Sequence, residues 1–217
     1  MISWNRVETV LLDMDGTLLD LHFDNHFWQE HVPRRFAARH GLDLASARAD
    51  LAARYKKVEG TLEWYCVDYW TRELDLDIAC LKAELAELIA VHPFVLDFLA
   101  AVRARGKRLV LVTNAHGKAL ALKLRRTRLD EHFDAVVCAH DLGSPKERIA
   151  FWERLRAVQP YDAPSSVLID DSLPVLRAAR RYGIAQLLAV KRPDSRQPER
   201  TIAEFPAIAH LAEVMPD

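Results

Sequence analysis

The sequence has few of the features that mark secreted proteins or cysteine-ligated metal sites. It contains only three cysteines among 217 residues, Cys66, Cys80 and Cys138, an odd number without metal-ligand spacing. The residues at its start are polar and the first apolar run is short, so no secretory leader is expected. These absences favour a protein of the reducing cytoplasm.

Long apolar runs, internal repeats and an excess of one charge are also missing. No apolar stretch approaches the ~18 residues that span a bilayer. The net charge of -1 gives no broad basic field of the kind that binds nucleic acid or an anionic membrane. What remains is an ordinary globular composition, 50% hydrophobic and 28% charged, long enough for one domain with an insert. The oligomeric state is left open.

Two carboxylates follow the first apolar run of the chain. Val10–Leu12 predicts a short buried strand, and residues two apart leave a strand end on the same side, so Asp13 and Asp15 are expected to face one site. Neighbouring carboxylates in a dry pocket need a cation or a shared proton. A calcium-binding loop is disfavoured by Thr17 and Leu18, while a plain hairpin turn stays open from this segment alone.

Strand and helix patterns then alternate along the chain. The further predicted strands are Leu109–Val112, Ala135–Cys138, Val167–Ile169 and Gln186–Val190, and the helical patterns between and after them are Phe94–Arg105, Lys118–Leu129, Glu147–Val158 and Leu173–Tyr182. The alternation predicts an α/β fold, a mainly parallel sheet with helices on both faces. In such sheets, ligands bind beyond the carboxyl ends of the strands.

Polar residues stand at those predicted carboxyl ends. Thr113 and Asn114 follow the second strand, Lys146 opens the helix after the third, and Asp170 and Asp171 follow the fourth. Each of these groups alone is most simply a turn, a solvated side chain or a helix cap. Their joint placement predicts one active site.

These four groups make the chain similar to the haloacid dehalogenase superfamily of aspartyl phosphatases. Asp13-x-Asp15-Gly-Thr matches the family's first motif, Thr113 the second, Lys146 the third, and Asp170 with Asp171 the fourth. The resemblance implies a Rossmann-like core, attack by Asp13 on phosphorus, an acid and base role for Asp15, and Mg²⁺ as cofactor.

The chemistry of the residues agrees with those roles. Attack by a carboxylate on a phosphate dianion requires that negative charge be offset by a cation and by preorganised donors. Mg²⁺ prefers oxygen ligands, which the Asp13 side chain, the Asp15 backbone carbonyl and Asp171 would offer, with Asp170 ligating directly or through water. Thr113, Asn114 and Lys146 are expected to bind the phosphoryl oxygens, and Asp15 is expected to have a pKa nearer neutrality than a free aspartate.

A helical insert separates the first motif from the rest of the predicted sheet. Helical spacing marks Ala45–Val58, Leu62–Leu74 and Ile78–Val91. We therefore expect residues 19–91 to form a small helical cap on a core of residues 1–18 and 92–217. In the family, such a cap closes over the active site and excludes water.

Seven short segments in the insert and its flanks resemble bacterial purine 5′-nucleotidases that act on GMP and IMP: Leu19-Asp20-Leu21, Phe23-Asp24-Asn25, Phe27-Trp28, Trp64-Tyr65-Cys66, Asp68-Tyr69-Trp70, Thr113-Asn114-Ala115-His116 and Pro193-Asp194-Ser195. The resemblance implies a purine nucleoside monophosphate as substrate. A purine needs a stacking surface and amide or carboxylate partners, so Asp24, Asn25, Trp28 and His116 are the predicted substrate-binding residues. A phosphatase for sugar phosphates or phosphoglycolate and a phosphomutase stay open as alternatives. Asp15 argues against a dehalogenase, and the complete motif set argues against a non-enzymatic scaffold.

Overall fold

A computed structural model describes residues 2–216, and a parallel sheet lies at its centre. Its six strands are ordered β3-β2-β1-β4-β5-β6. Their bounds are β1 Thr9–Leu12, β2 Arg108–Thr113, β3 Ala135–Cys138, β4 Ser166–Asp170, β5 Gln186–Val190 and β6 Ala207–Ile208. Every pairing is parallel. Because β1 lies between β2 and β4, the carboxyl ends of these three strands meet at one edge.

Helices cover both faces of this sheet. The connecting helices are α7 Val95–Ala104, α8 Gly117–Thr127, α9 Ile149–Val158 and α10 Leu173–Tyr182. Side chains of β1 alternate between two apolar layers: Val10 belongs to the buried cluster that includes Phe98 of α7, whereas Leu11 belongs to the cluster that includes Phe151 and Trp152 of α9. Because β1 is buried on both faces, its residues Val10–Leu12 form a continuous apolar run in the sequence.

The predicted α/β architecture is confirmed, with differences at element ends. The sixth strand was not predicted because it has only two residues, which pair with Ala189 and Val190. The expectation that Lys146 opens a helix is wrong: Lys146 lies in a turn, closed by a hydrogen bond from the Arg148 amide to the Pro145 carbonyl, and α9 begins at Ile149.

A helical segment lies between β1 and α7. It consists of α1 His22–His26, a π-helical turn Phe27–His31, α2 Val32–His40, α3 Leu44–Val58, α4 Leu62–Tyr65, α5 Val67–Leu74, α6 Ile78–Glu84 and a 3₁₀ turn Ala86–Leu88. The helix predicted over Leu62–Leu74 is broken at Cys66, whose backbone is extended and whose sulfur accepts from the Tyr69 amide. The helix predicted over Ile78–Val91 ends at Glu84.

The helical segment has a hydrophobic core of its own, centred on Phe27, Leu51 and Trp70. Its two ends lie side by side, since Leu19 pairs with Val91 in an antiparallel bridge. The division into a core of residues 1–18 and 92–217 and a cap of residues 19–91 stays a prediction. In the described part of the chain, no helix combines the length and apolar character needed to cross a membrane.

Candidate active site

Asp13 and Lys146 form the centre of the site. The backbone of Asp13 continues the β1 ladder, because its amide donates to the Ile169 carbonyl at 3.1 Å. Its carboxylate is buried, and Oδ1 lies 2.5 Å from the Lys146 ammonium. That ammonium is also buried and donates to Asp170 Oδ2 at 2.7 Å. Lys146 therefore bridges the ends of β1 and β4.

Three carboxylates gather around this bridge. One oxygen each from Asp13, Asp170 and Asp171 lies within 4.8 Å of the others. Burial raises the pKa of Asp13 to about 6 against the opposing effect of Lys146. Burial, together with the charges of Asp13 and Asp170, raises the pKa of Asp171 well above its ordinary value. Burial and mutual repulsion disfavour the ionised forms of these carboxylates, and a bound cation would offset both effects. The cluster offers oxygen ligands and therefore fits a hard divalent cation such as Mg²⁺.

The side chain of Asp15 points away from that cluster. Its Oδ1 lies 2.7 Å from Nζ of Lys123, a buried lysine of α8. Burial raises the pKa of Asp15 to about 6, although Lys123 lowers it. The expected shift of the Asp15 pKa toward neutrality is thus present. Because its side chain pairs with Lys123, Asp15 could contribute to a metal site through its backbone carbonyl.

Thr113 and Asn114 hold the neighbouring turns in place. Thr113 is the last residue of β2, and its hydroxyl accepts from the Ala115 amide at 3.0 Å. The Asn114 side chain accepts from the backbone amide of Lys146 at 2.9 Å and donates to Glu147 at 3.0 Å. Asn114 therefore fixes the turn that carries Lys146, a role that the sequence pattern did not indicate.

A second buried ion-pair network adjoins Asp15. Asp24 accepts from Lys123 at 2.6 Å through Oδ2 and from Lys82 of α6 at 2.8 Å through Oδ1. Sequence reasoning missed both lysines. For Lys123, the sequence held a signal in its position. Lys123 lies four residues after the buried Ala119, on the apolar side of α8, where a lysine needs a buried partner.

One cavity contains every residue predicted for the site. It measures about 500 Å³ and is lined by all eleven of them: Asp13, Asp15, Asp24, Asn25, Trp28, Thr113, Asn114, His116, Lys146, Asp170 and Asp171. The helical segment adds an aromatic wall that also includes Tyr55, Trp64, Tyr65 and Trp70. The cavity is thus lined both by charged groups of the sheet edge and by aromatic side chains of the helical segment.

The four predicted substrate-binding residues of the cavity, Asp24, Asn25, Trp28 and His116, differ in how many of their polar atoms form hydrogen bonds within the protein. Both oxygens of Asp24 accept from lysines. Asn25 donates to Asp194 at 2.7 Å, and His116 Nδ1 accepts from the Lys118 amide at 3.3 Å. Trp28 packs edge-on against Tyr55. Their contact with a substrate stays a prediction.

Comparisons with known proteins agree with this geometry. A family model described as haloacid dehalogenase-like hydrolase matches residues 7–183. GMP/IMP nucleotidase YrfG of Escherichia coli (strain K12) is 40% identical over 215 residues, covering 99% of this chain and 97% of the relative. Phosphoglycolate phosphatase of Chromobacterium violaceum is 26% identical over 201 residues, covering 86% of each.

Solved structures share the fold. A phosphatase of this family from Thermococcus onnurineus superposes with a TM-score of 0.78 at 23% identity, covering 96% of each chain. A β-phosphoglucomutase-like protein from Thermotoga maritima gives a TM-score of 0.68 at 21% identity, covering 96% of this chain and 97% of the other. At such identities these structures bear on the fold alone.

Proposed function

Since this chain belongs to the haloacid dehalogenase-like hydrolase family and is an enzyme that hydrolyses phosphomonoesters, we propose that it is a purine 5′-nucleotidase acting on GMP and IMP. The observation that carries the proposal is the single cavity that is lined both by the charged groups of the sheet edge and by the aromatic wall of the helical segment. Such a cavity can hold a phosphate and a flat apolar base together.

Catalysis in this proposal starts with Asp13. A carboxylate oxygen of Asp13 attacks phosphorus, the bond to the nucleoside 5′ oxygen breaks, and an aspartyl-phosphate forms. Asp15 gives its proton to the departing alkoxide, and its carboxylate then takes a proton from the water that hydrolyses the aspartyl-phosphate. A pKa of about 6 suits a group that must serve as acid and base in turn.

The surrounding residues bind the phosphate and offset its charge. Lys146, whose pKa is raised by Asp13 and Asp170 despite its burial, stays cationic beside the nucleophile. The Thr113 hydroxyl and the Asn114 backbone amide would donate to phosphoryl oxygens from the end of β2. Each of these groups is positioned before substrate arrives.

The carboxylate cluster fits a magnesium ion. Asp13, Asp171 and the Asp15 backbone carbonyl would hold it, with Asp170 as a direct or water-mediated ligand. When bound, Mg²⁺ supplies the positive charge that lets an anionic nucleophile approach an anionic phosphate.

The test is a substrate panel with inorganic phosphate release as the readout. It comprises GMP, IMP, CMP, UMP, ribose 5-phosphate and phosphoglycolate, each with Mg²⁺. We expect kcat/KM for GMP and IMP to exceed that for CMP and UMP by about tenfold or more, because stacking and a hydrogen bond to the base contribute roughly 1–3 kcal/mol.

An Asp13→Asn sample prepared in the same way measures contaminating phosphatase activity. Equal activity on purine and pyrimidine monophosphates, together with higher activity on ribose 5-phosphate or phosphoglycolate, would show that the aromatic wall only stabilises the helical segment. The phosphatase assignment would survive that result, and the nucleotidase proposal would not.

A further inference from the structure

We propose that Gln29, oriented through Asn25 by Asp194, reads the edge of the purine that carries the 6-oxo group and N1–H. This inference rests on the proposed nucleotidase function and assigns its base specificity to a particular side chain. Asn25 and Gln29 line the cavity together with the aromatic residues of the helical segment. Gln29 lies in the π-helical turn Phe27–His31, a kind of helix distortion that is frequent at functional sites.

Asp194 is the fixed end of this chain of side chains. It is only 3% exposed, and its Oδ1 accepts from the Arg196 amide at 2.9 Å. The adjoining loop is held against the start of α1, since Leu21 donates to the Pro193 carbonyl at 2.8 Å and Ser195 donates to Asp20 at 3.0 Å. A backbone amide therefore holds the carboxylate of Asp194, and the residues on either side of Asp194 anchor its loop.

Asp194 determines which way the Asn25 amide points. A carboxylate can only accept, so the group of Asn25 that meets Asp194 Oδ2 at 2.7 Å must be its NH₂. The amide oxygen of Asn25 is then turned to the other side. There it meets Nε2 of Gln29 at 3.5 Å, one helical turn along.

The same logic orients Gln29. With Nε2 toward the oxygen of Asn25, Gln29 keeps one N–H and presents Oε1 as an acceptor. Among residues 2–216, no hydrogen bond uses Oε1 of Gln29, and Gln29 is an exposed residue that lines the cavity. Turning the amide over would set two oxygens against each other and remove the contact with Asn25.

Two carboxylates that line or adjoin the cavity, Asp24 and Glu147, already accept hydrogen bonds through both oxygens. Both oxygens of Asp24 accept from Lys82 and Lys123. Glu147 accepts from Tyr65 at 2.6 Å through one oxygen and from Asn114 at 3.0 Å through the other. Gln29 is thus a polar side chain of the cavity that has both a donor and an acceptor to offer.

This donor and acceptor match a 6-oxo purine in one pose. In hypoxanthine and guanine, O6 accepts and N1–H donates, so the Gln29 N–H can donate to O6 while Oε1 accepts from N1–H. Adenine carries an amino group at position 6 and an unprotonated N1, so in the same pose both contacts are mismatched. A site that leaves polar groups unpaired rejects such an analogue strongly.

The experiment measures the ratio of kcat/KM for IMP to that for AMP in four proteins: the wild type, Gln29→Glu, Asp194→Asn and Gln197→Glu. Ribose 5-phosphate serves as a substrate without a base. Gln29→Glu replaces the donor to O6 by an acceptor, which suits the amino group of AMP. Asp194→Asn is nearly isosteric but can donate as well as accept, so it no longer fixes the Asn25 amide.

We expect the wild type to favour IMP over AMP by about tenfold or more. Gln29→Glu and Asp194→Asn should each lower that ratio by about tenfold. Activity of Asp194→Asn on ribose 5-phosphate should stay near the wild-type value. Gln197→Glu makes the same chemical change at an exposed residue outside the cavity. It should leave the ratio unchanged, which separates recognition from the effect of an added negative charge.

Two contrary outcomes are distinguishable. In the first, the wild type prefers IMP to ribose 5-phosphate, but neither Gln29→Glu nor Asp194→Asn changes the ratio of kcat/KM for IMP to that for AMP. Gln29 then does not read the base, and the nucleotidase proposal stands. If the wild type hydrolyses ribose 5-phosphate better than IMP, the nucleotidase proposal fails and this inference fails with it.

Discussion

Lys123 Nζ lies 2.7 Å from Asp15 Oδ1, so a lysine in the middle of a core helix is paired with the second aspartate of the loop after β1. The same ammonium lies 2.6 Å from Asp24 at the start of the helical segment. One buried cation therefore serves two half-buried carboxylates. Removing it would leave both carboxylates without their shared partner.

Lys123→Met should destabilise the fold by about 3–5 kcal/mol, because removing the buried ammonium leaves the Asp15 carboxylate without its ion-pair partner. Lys118→Met is the matched control on the same helix, since Lys118 also pairs with an aspartate, Asp68 at 2.6 Å, but at the surface. Exposed pairs contribute little, so this control should unfold almost as the wild type does. Urea denaturation measures both variants, and equal losses of stability would contradict the prediction.

Asp24 should make stability depend on acid pH. Burial alone would raise its pKa, but Lys123 and Lys82 outweigh burial and hold the pKa well below its ordinary value. A carboxyl group whose folded pKa is depressed stabilises the fold above its unfolded pKa and loses that contribution as the pH falls. The difference in unfolding free energy between wild type and Asp24→Asn should therefore be largest near pH 7 and shrink below about pH 4. Urea titrations at pH 7, 5, 4 and 3 test this, and a difference independent of pH would refute it.

Asp13→Asn should abolish phosphate release, by several orders of magnitude, while the protein stays folded. An amide cannot attack phosphorus to form the covalent intermediate. The measurements are phosphate release and a thermal melt, the melt serving to separate lost chemistry from lost structure. Turnover near the wild-type rate would exclude the aspartyl-phosphate route.

Removal of divalent metal should stop the reaction. Chelation with EDTA should abolish phosphate release, Mg²⁺ should restore it, and excess Ca²⁺ should inhibit, because its larger and looser coordination shell misplaces the carboxylates. Asp171→Asn should raise the Mg²⁺ concentration needed for half-maximal activity. Full activity in a chelator-treated sample without added metal would overturn the assignment of the carboxylate cluster to Mg²⁺.

Gly16→Ala should damage that cluster directly. Gly16 has a φ of +88°, and a Cβ there would lie 2.8 Å from Cγ of Asp171, closer than atoms of this kind pack. We expect the displaced Asp171 to weaken Mg²⁺ binding and activity together. Gly60→Ala is the matched control, because Gly60 also has a positive φ, +75°, but no atom within 4 Å of the added Cβ. It should cost some stability and leave the Mg²⁺ dependence unchanged.

The sheet was predictable from sequence because its strands are buried on both faces. Such strands form unbroken apolar runs, and Ala135–Cys138 and Gln186–Val190 are found with the bounds that the runs indicated. The residues after β1, β2 and β4 could then be placed at one edge, since parallel strands end together. The structure gathers all of these residues in one cavity.

The remaining features depend on contacts between segments distant in sequence. Lys82 and Lys123 lie 41 positions apart in the sequence. Their burial is explained only by the fold, in which both ammonium groups pair with Asp24. Asp194 lies 169 positions from Asn25, so nothing local predicts their hydrogen bond. The break at Cys66 replaces a helix that periodicity favours, because the apolar spacing continues through a residue whose backbone is extended. Local patterns carry no information about such pairings.

The aromatic wall gives the enzyme an intrinsic optical signal. Of its five tryptophans, Trp28, Trp64 and Trp70 line the cavity, whereas Trp4 and Trp152 do not. A purine that stacks in the cavity would therefore change the emission of most of the fluorophores at once, and a ribose phosphate without a base would change it little. Fluorescence titration of the inactive Asp13→Asn protein can thus measure nucleotide affinity without a label and without turnover.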